Sequence, residues 1–342
     1  MTTHAVAAPP LLFLTRSDVV HVGGESPDLY VEAVEEALAL HASGLSELPL
    51  KVYLRWPHEV AHVSDRIIAM PAYLGGERPV AGLKWVASKH DNPTRRGLER
   101  ASALIVLNEV ETNYPIAVME GALISAMRTA AVSAVAARHL GRRGFRRFGC
   151  IGCGFVGQAH VLTIGAVFPE VASVLLYDLD RARAEQLAGQ CRELLPHLEL
   201  EVASSAREVV EGADVVVACT IAEEPYVEAE WLRPGHLLVN VSLMDVTKDA
   251  FLAFDKIVVD DWEQCNREGK VINELYLEGR LDRSGIHAEL GEIVLGRRPG
   301  RESDDERILV NPMGLAIEDI GSARRVYERA VEQDVGTWLR LE

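Results

Sequence analysis

The sequence predicts an α/β protein, with a doubly wound parallel-sheet domain joined to a second, α+β domain. Three features of the chain point there. From about residue 141 short β-branched runs alternate with helical stretches, whereas the segment before it holds short strand-like runs broken by turn residues. A glycine triplet, Gly152, Gly154 and Gly157, falls between a strand and a helix. At 342 residues the chain is long enough for two domains, each with its own core.

Asp28 to Ala42 reads as a helix, with Leu29, Val31, Val34, Leu38 and Leu40 set among acids. From Leu48 to Val106 the pattern is that of an antiparallel, hairpin-rich sheet. Arg66–Met70 leads to Pro71 and the Gly75-Gly76 turn, and Val80–Ala87 and Ala103–Leu107 follow. After Glu111-Thr-Asn-Tyr-Pro115 a long helix is expected from about Ile116 to Leu140. Its Ala, Gly and Ser content allows close neighbours and places it in the interior, leading from one domain to the next. Beyond Gly141 strands are expected at Phe148–Ile151, Val174–Tyr177, Leu198–Val202, Val215–Cys219, Leu237–Val241 and Ile257–Val259. Helices over Gln158–Val167 and Arg181–Leu194 separate the first of them, as in a parallel sheet covered on both faces. Arg297–Arg307 is a charged loop, and Met313 to Trp338 returns to helix, folding back on the first domain.

The net charge of -16 excludes broad nucleic-acid binding, because phosphates would be repelled over most of the surface. It leaves room for a small anionic substrate in a locally basic pocket. Leu11–Leu14 is apolar but short and is followed by Arg16 and Asp18, so neither a signal peptide nor a membrane span is expected. Five scattered cysteines make no disulfide framework, and a cytoplasmic location is expected.

Gly152-Cys-Gly154-Phe155-Val156-Gly157 follows the Phe148–Ile151 strand and opens a helix. The first glycine permits the tight turn, the second lets backbone approach a pyrophosphate, and the third allows close helix–strand packing. The next strand ends in Tyr177-Asp178, where a carboxylate can accept hydrogen bonds from ribose hydroxyls. The fold is therefore Rossmann-type, the cofactor a dinucleotide, and NAD is favoured over NADP because Asp178 would repel a 2′-phosphate. Cys150 and Cys153 straddle this turn without a second ligand pair, so no metal site is expected.

Arg66, Lys84 and Arg128 stand in apolar surroundings, so each faces either a ligand or a buried carboxylate such as Glu120 or Glu111. Asp245 follows the Leu237–Val241 strand, where ligands of parallel sheets bind. It is placed either to exchange protons with a substrate or to cap the helix starting near Thr247.

Taken in order, Arg66-Ile-Ile-Ala-Met-Pro, Gly82-Leu-Lys84-Trp, Met127-Arg128-Thr129-Ala-Ala, Gly152-Cys-Gly154 and Gly212-Ala-Asp214 resemble the ornithine cyclodeaminase/μ-crystallin family over essentially the whole chain. Ser88-Lys-His-Asp-Asn-Pro93, Glu111-Thr-Asn-Tyr-Pro-Ile-Ala-Val-Met119, Asp260-Asp-Trp-Glu-Gln-Cys-Asn-Arg-Glu268 and Asn311-Pro-Met-Gly314 resemble the branch of it that makes L-2,3-diaminopropionate for siderophores and peptide antibiotics. The resemblance implies NAD-dependent oxidation of a CH–NH bond in a small anionic amino-acid substrate, by a homodimer. It implies that Arg66, Lys84 and Arg128 hold carboxylates and that Asp245, with Lys84, does the acid–base work. Thr129 would touch the cofactor phosphates, with further cofactor contacts at Thr220, Ser242, Met244, Met313 and Gly314. Residues 1–128, completed by 321–342, would form the substrate and dimerisation domain, and 129–320 the NAD domain. Where cyclodeaminases carry an Asp-Cys-Pro-Gly-Lys type segment, this chain has Asp245-Val-Thr-Lys-Asp249, which speaks against ring closure of ornithine. Three cations also suit a tricarboxylate better than ornithine. The alternatives are a cyclodeaminase, ketimine reductase or alanine dehydrogenase of the family, or a non-catalytic nucleotide-binding carrier.

Overall fold

Two separate sheets carry the fold in the computed structural model, which describes residues 8–56, 65–267 and 269–341. The first sheet is built from β1 (Leu11–Leu14), β2 (Ser46–Glu47), β3 (Val52–Leu54), β4 (Arg66–Leu74), β5 (Val80–Ser88), β6 (Ala101–Asn108) and β7 (Pro115–Glu120). Their order is β1-β7-β6-β5-β4-β2, with β3 also on β4. β4 to β7 form the expected antiparallel meander, and β1 joins it parallel to β7. Successive side chains alternate faces. Met70, Lys84, Ile105 and Met119 therefore form one cross-strand row on the buried face, and Val52, Ala69, Trp85 and Leu104 one row on the other.

The second sheet contains β8 (Arg147–Ile151), β9 (Ser173–Tyr177), β10 (Glu199–Val202), β11 (Val215–Ala218), β12 (Leu237–Asn240), β13 (Lys256–Val259), β14 (Ala288–Glu289) and β15 (Ile308–Asn311). Every pairing is parallel, in the order β10-β9-β8-β11-β12-β15-β13-β14. The doubly wound, Rossmann-type expectation is met. The chain winds outward from β8 in one direction through β9 and β10, and in the other through β11 and β12. The switch point lies between β8 and β11, where such sheets bind ligands beyond their carboxyl ends.

The long helices are α1 (Pro27–Ala42), α2 (Ala122–Leu140), α3 (Phe155–Val167), α4 (Arg181–Leu194) and α5 (Ala316–Glu332). α2 is buried on nearly every side because it packs against α1, α3, α5 and strands of both sheets. A helix surrounded in this way has no polar face, and its Ala-rich sequence allows the close approach. The expected helix starting at Ile116 is corrected here. Residues 115–120 form β7, whose alternate residues Ala117 and Met119 point into the core between β1 and β6, and the helix starts only after Gly121. The expected helix to Trp338 is also shorter. α5 ends at Glu332, Asp334 and Gly336 adopt positive φ, and β16 (Thr337–Leu339) pairs antiparallel with β1. β1 and β15 were each too short to stand out in the sequence as strands.

α5 lies across β4, β5 and β6 and against α1. Arg324, buried on α5, donates from Nη2 to both carboxylate oxygens of Glu36 of α1, at 2.9 and 2.8 Å, and from Nη1 to the Arg78 carbonyl. Burial works against the Glu36 charge, but Arg324 and Arg325 outweigh it and hold the carboxyl below its ordinary 4.5. A depressed carboxyl contributes stability above its unfolded pKa and loses it as the pH falls through the folded value. Arg324→Met is therefore expected to lower unfolding free energy by about 2–3 kcal/mol at pH 7. The deficit, measured by urea titration, should shrink as the pH drops below about 4.5. A deficit that stays constant from pH 7 to 3 would show that the ion pair is not its source.

Candidate active site

The strand ends β8, β11 and β12 each deliver one part of the site. After β8, Gly152 turns with φ +98° and Gly154 starts α3. A Cβ on Gly157 would lie 2.1 Å from the Gly152 carbonyl oxygen, so only glycine lets helix and turn close so tightly. No side chain caps α3, and its first amides, at Phe155, Val156 and Gly157, point out of the helix end as donors for an anion. A Cβ on Gly154 would meet nothing within 4 Å, which leaves the turn open to an approaching group. Asp178, after β9, accepts the Cys153 amide at 2.8 Å and the Asp180 amide at 2.9 Å, so its carboxylate is tied to the glycine turn. Arg16 comes from outside this sheet, its guanidinium 4.8 Å from the Phe155 ring centroid, and sets a cation beside the turn that the sequence did not suggest. These residues fit a dinucleotide diphosphate and its ribose. Thr129 lies on α2 with its hydroxyl donated to the Ser125 carbonyl at 2.7 Å.

Beyond β12 the chain makes a turn in which Leu243 adopts φ +71°, an unfavourable conformation for a bulky side chain that often marks a functional site. This turn aims Asp245 inward, fully buried, where it accepts hydrogen bonds from three hydroxyls. Thr220 Oγ1 lies at 2.5 Å, Tyr226 Oη at 2.9 Å, and Ser242 Oγ is the third donor. Burial and the Asp245 charge push the Tyr226 phenol far up, so it stays a donor. The capping alternative for Asp245 fails, because Thr247 is the residue whose side chain accepts from Ala250 and caps the short helix Lys248–Leu252. Met244 and Met313 are both partly buried against the apolar cluster of the second sheet.

Lys84 and Arg128 are held by carboxylates, but not by Glu120 or Glu111. Lys84 Nζ lies 2.7 Å from Asp319, and Arg128 reaches Asp319 at 2.8 Å and Glu318 at 2.9 Å, both from the first turn of α5. Glu120 instead accepts amides at the start of α2, and Glu111 sits in the turn between β6 and β7. The sequence could not single out Glu318 and Asp319, since an acidic first turn is ordinary for any helix. Gly314 leaves room for Arg128, whose Nη1 would lie 2.5 Å from a Cβ there. Asp260 accepts the Met313 and Gly314 amides at 3.0 and 2.6 Å, and Lys51 donates to the Met313 carbonyl at 2.8 Å. Burial, with Arg128 adding to it, lowers Lys84 to about 7, and burial lowers Lys51 to about 8.

Arg66 shares a sheet face with Lys84, four residues along β4 from Met70, the residue opposite Lys84. Its strand partner Ser88 accepts a bond from Arg100 at 2.8 Å, and Arg100 lies in the fields of both Arg66 and Cys219, at the end of β11. Lys89 and His90, of the Ser88–Pro93 segment, bind Asp65 and hold the start of β4. Lys51, Arg55, Arg100 and Lys270 surround the site and were missed, because their chain positions carry no strand or motif signal.

Amides set for a diphosphate beyond β8, with a buried carboxylate two strands away beyond β12, are what a dinucleotide-dependent oxidoreductase requires, and this sheet supplies both. The chain belongs to the ornithine cyclodeaminase/mu-crystallin family, which it matches over residues 13–334. It is 48% identical to N-((2S)-2-amino-2-carboxyethyl)-L-glutamate dehydrogenase of Staphylococcus aureus, covering 97% of this chain and 98% of that one. Its structure is similar to Thermococcus litoralis Δ1-pyrroline-2-carboxylate reductase in complex with NADH and L-proline. The TM-score is 0.87 at 33% identity, over 95% of this chain and 99% of that one. An archaeal alanine dehydrogenase dimer with bound NAD gives a TM-score of 0.86 at 34% identity, over 97% of this chain and 100% of that one.

Replacing Asp178 with Ser should weaken NAD binding about 10–150-fold, the ordinary worth of a charge-assisted hydrogen bond, and narrow the preference for NAD over NADP. Quenching of protein fluorescence reads both affinities. An unchanged ratio would place Asp178 away from the ribose.

Proposed function

We propose that this protein oxidises N-(2-amino-2-carboxyethyl)-L-glutamate, releasing 2-oxoglutarate and L-2,3-diaminopropionate for siderophore or peptide natural-product assembly. The observation that carries this reading is that Arg66 and the buried Lys84 share one face of the first sheet, with Arg128 meeting Lys84 at Asp319, in a protein of net charge -16. Arg66, Lys84 and Arg128 would hold the carboxylates of such a substrate, Lys84 and Arg128 while still paired with Glu318 and Asp319, and the 48% identity to the Staphylococcus aureus dehydrogenase supports the choice. Residues 1–128 with 321–342 would serve substrate binding and pairing, and 129–320 the cofactor. The apolar outer row of the first sheet, with Trp85 and Leu104 41% and 46% exposed, suits a homodimer contact. We place the protein in the cytoplasm. Among the described residues no helix is long and apolar enough to cross a membrane.

When bound at the glycine turn, NAD supplies a hydride acceptor. Arg66 and Lys84 orient the glutamate carboxylates so that its Cα faces the end of β12. Asp245 takes the proton of the secondary ammonium, freeing the nitrogen lone pair that forms the C=N bond as the Cα–H bond breaks. Water then adds at that carbon, with Asp245 relaying protons, and the C–N bond breaks with nitrogen leaving as the diaminopropionate amine. The carbonyl oxygen of 2-oxoglutarate comes from water, and the sum is one substrate, NAD and water to two products, NADH and a proton. Thr220, Ser242 and Tyr226 fix the Asp245 carboxylate for this work.

The wild-type enzyme should form NADH and 2-oxoglutarate in equal amounts from this substrate. Asp245→Asn should lower kcat about 10²–10⁴-fold with NAD affinity unchanged. Turnover of ornithine to proline without net NADH would replace this function with ring closure, and near-normal kcat in the Asn variant would remove Asp245 from the chemistry.

Lys84 supplies a pH signature. It binds a carboxylate only as a cation, and its pKa in the free protein is lowered to about 7, so kcat/KM should fall as the pH rises through that value. In Lys84→Arg the falling limb should be absent up to pH 9, because guanidinium remains charged. A limb that persists in that variant belongs to another group.

A further inference from the structure

We infer that Ser133 and His160 are positioning residues for the dinucleotide, setting the peptide between Val156 and Gly157 so that its amide meets the diphosphate. The inference deepens the reading of the glycine turn as the NAD site and is independent of which amine the protein oxidises.

The first turn of α3 lacks the restraint of a helix interior. Its leading amides have no partner four residues back, and no side chain caps them. Gly152, Gly154 and Gly157 add backbone freedom at the same place. An anion site needs donors that already point the right way, because ordering them on binding costs affinity. Something beyond the turn itself has to hold it.

A peptide unit is planar, so holding its carbonyl oxygen also aims its N–H. The carbonyl of Val156 and the amide of Gly157 belong to one such unit. His160, one turn further along α3, places Nδ1 2.8 Å from the Val156 oxygen. A carbonyl only accepts, so Nδ1 carries the proton and donates. Burial lowers the ring to about 4, so at neutral pH it is uncharged and has that single N–H. Nε2 is then a bare acceptor, and Ser133 Oγ donates to it at 2.9 Å.

Ser133 stands in the middle of α2, and it and His160 are enclosed, at 1% and 0% exposure. A serine inside a helix ordinarily turns its hydroxyl back to the carbonyl four residues earlier. Thr129, one turn before, does this toward Ser125. Ser133 instead reaches across to α3, and among the described residues this is the one side-chain hydrogen bond between the two helices. Ala130 and Ala134 of α2 and Val161 and Ile164 of α3 are buried and apolar, and apolar contact has no direction. The Ser133–His160 bond supplies the direction. Its base is firm, because Arg128, five residues earlier on α2, is paired with Glu318 and Asp319. The relay runs from the Ser133 hydroxyl through the imidazole and the Val156 carbonyl to the Gly157 amide, each group polarising the next.

The test is direct binding to the full-length protein. NAD is titrated by calorimetry, and adenosine, which lacks phosphates, by ligand-observed NMR. Ser133→Ala should weaken NAD about 3–10-fold, the ordinary worth of one hydrogen bond, and change adenosine by less than about twofold. His160→Leu should lose about as much NAD affinity. Adding Ser133→Ala to it should cost less than about a further twofold, because the hydroxyl acts through the ring. Nitrogen-15 spectra of the wild type, which need no variant to fold, should show His160 protonated at Nδ1 and bare at Nε2. An Nε2–H ring, equal losses for NAD and adenosine, full additivity in the double variant, or unchanged NAD affinity would each overturn the relay while leaving the cofactor site in place. A wild type that binds no NAD overturns the cofactor site and the relay together.

Discussion

Two carboxylates on the first turn of α5 have to neutralise two cations that would otherwise be buried alone. Lys84 comes from the middle of an apolar row on β5, and Arg128 from a helix with no polar face. Neither position offers water, and an uncompensated charge there would cost several kcal/mol. Glu318 and Asp319 meet both cations, and in doing so they fix where α5 lies on the first sheet. The chain just before α5 is fixed with it. Met313 and Gly314, held by Asp260 and Lys51, lie at the carboxyl edge of the second sheet because α5 is anchored on the first. Removing one member of a buried pair of this kind typically costs about 3–5 kcal/mol, so the cluster couples folding to the geometry of the site.

The two sheets divide the chemistry in a way that follows from their hydrogen bonding. A parallel sheet gathers its strand ends on one edge, with helix amino termini and their unpaired amides beside them. That edge offers amides to an anionic diphosphate and places Asp245 two strands further on. An antiparallel sheet has no such polar edge, but it presents a broad face of alternating side chains. A lysine or arginine on that face reaches across the junction without disturbing the strands. The opposite face of the same strands is apolar and partly exposed.

Strain and charge both concentrate at this junction. Leu243 holds a left-handed backbone conformation that turns Asp245 into the protein, where three hydroxyls receive it. The segment from Asp260 brings Arg267 to the first sheet, where it donates to the Lys51 carbonyl.

Local sequence determined the elements whose period or turn chemistry is self-contained. The Gly152–Gly157 turn, the buried β-branched strands, α1 and α4 follow from residues close together in the chain, and so does the position of Asp178 at a strand end. Family resemblance added the roles of Arg66, Lys84, Arg128 and Asp245. What tertiary structure decided are matters of partnership between distant segments. Ile116–Met119 became strand rather than helix because two flanking strands offered it hydrogen bonds, which no local propensity records. Glu318 and Asp319 became counter-charges because α5 docks across β5, although more than 230 residues separate them from Lys84. Arg267 reaches the Lys51 carbonyl only because a loop crosses from one sheet to the other. An ionisable side chain takes its function from which charges lie within a few ångströms, and that distance is set by folding, not by position along the chain.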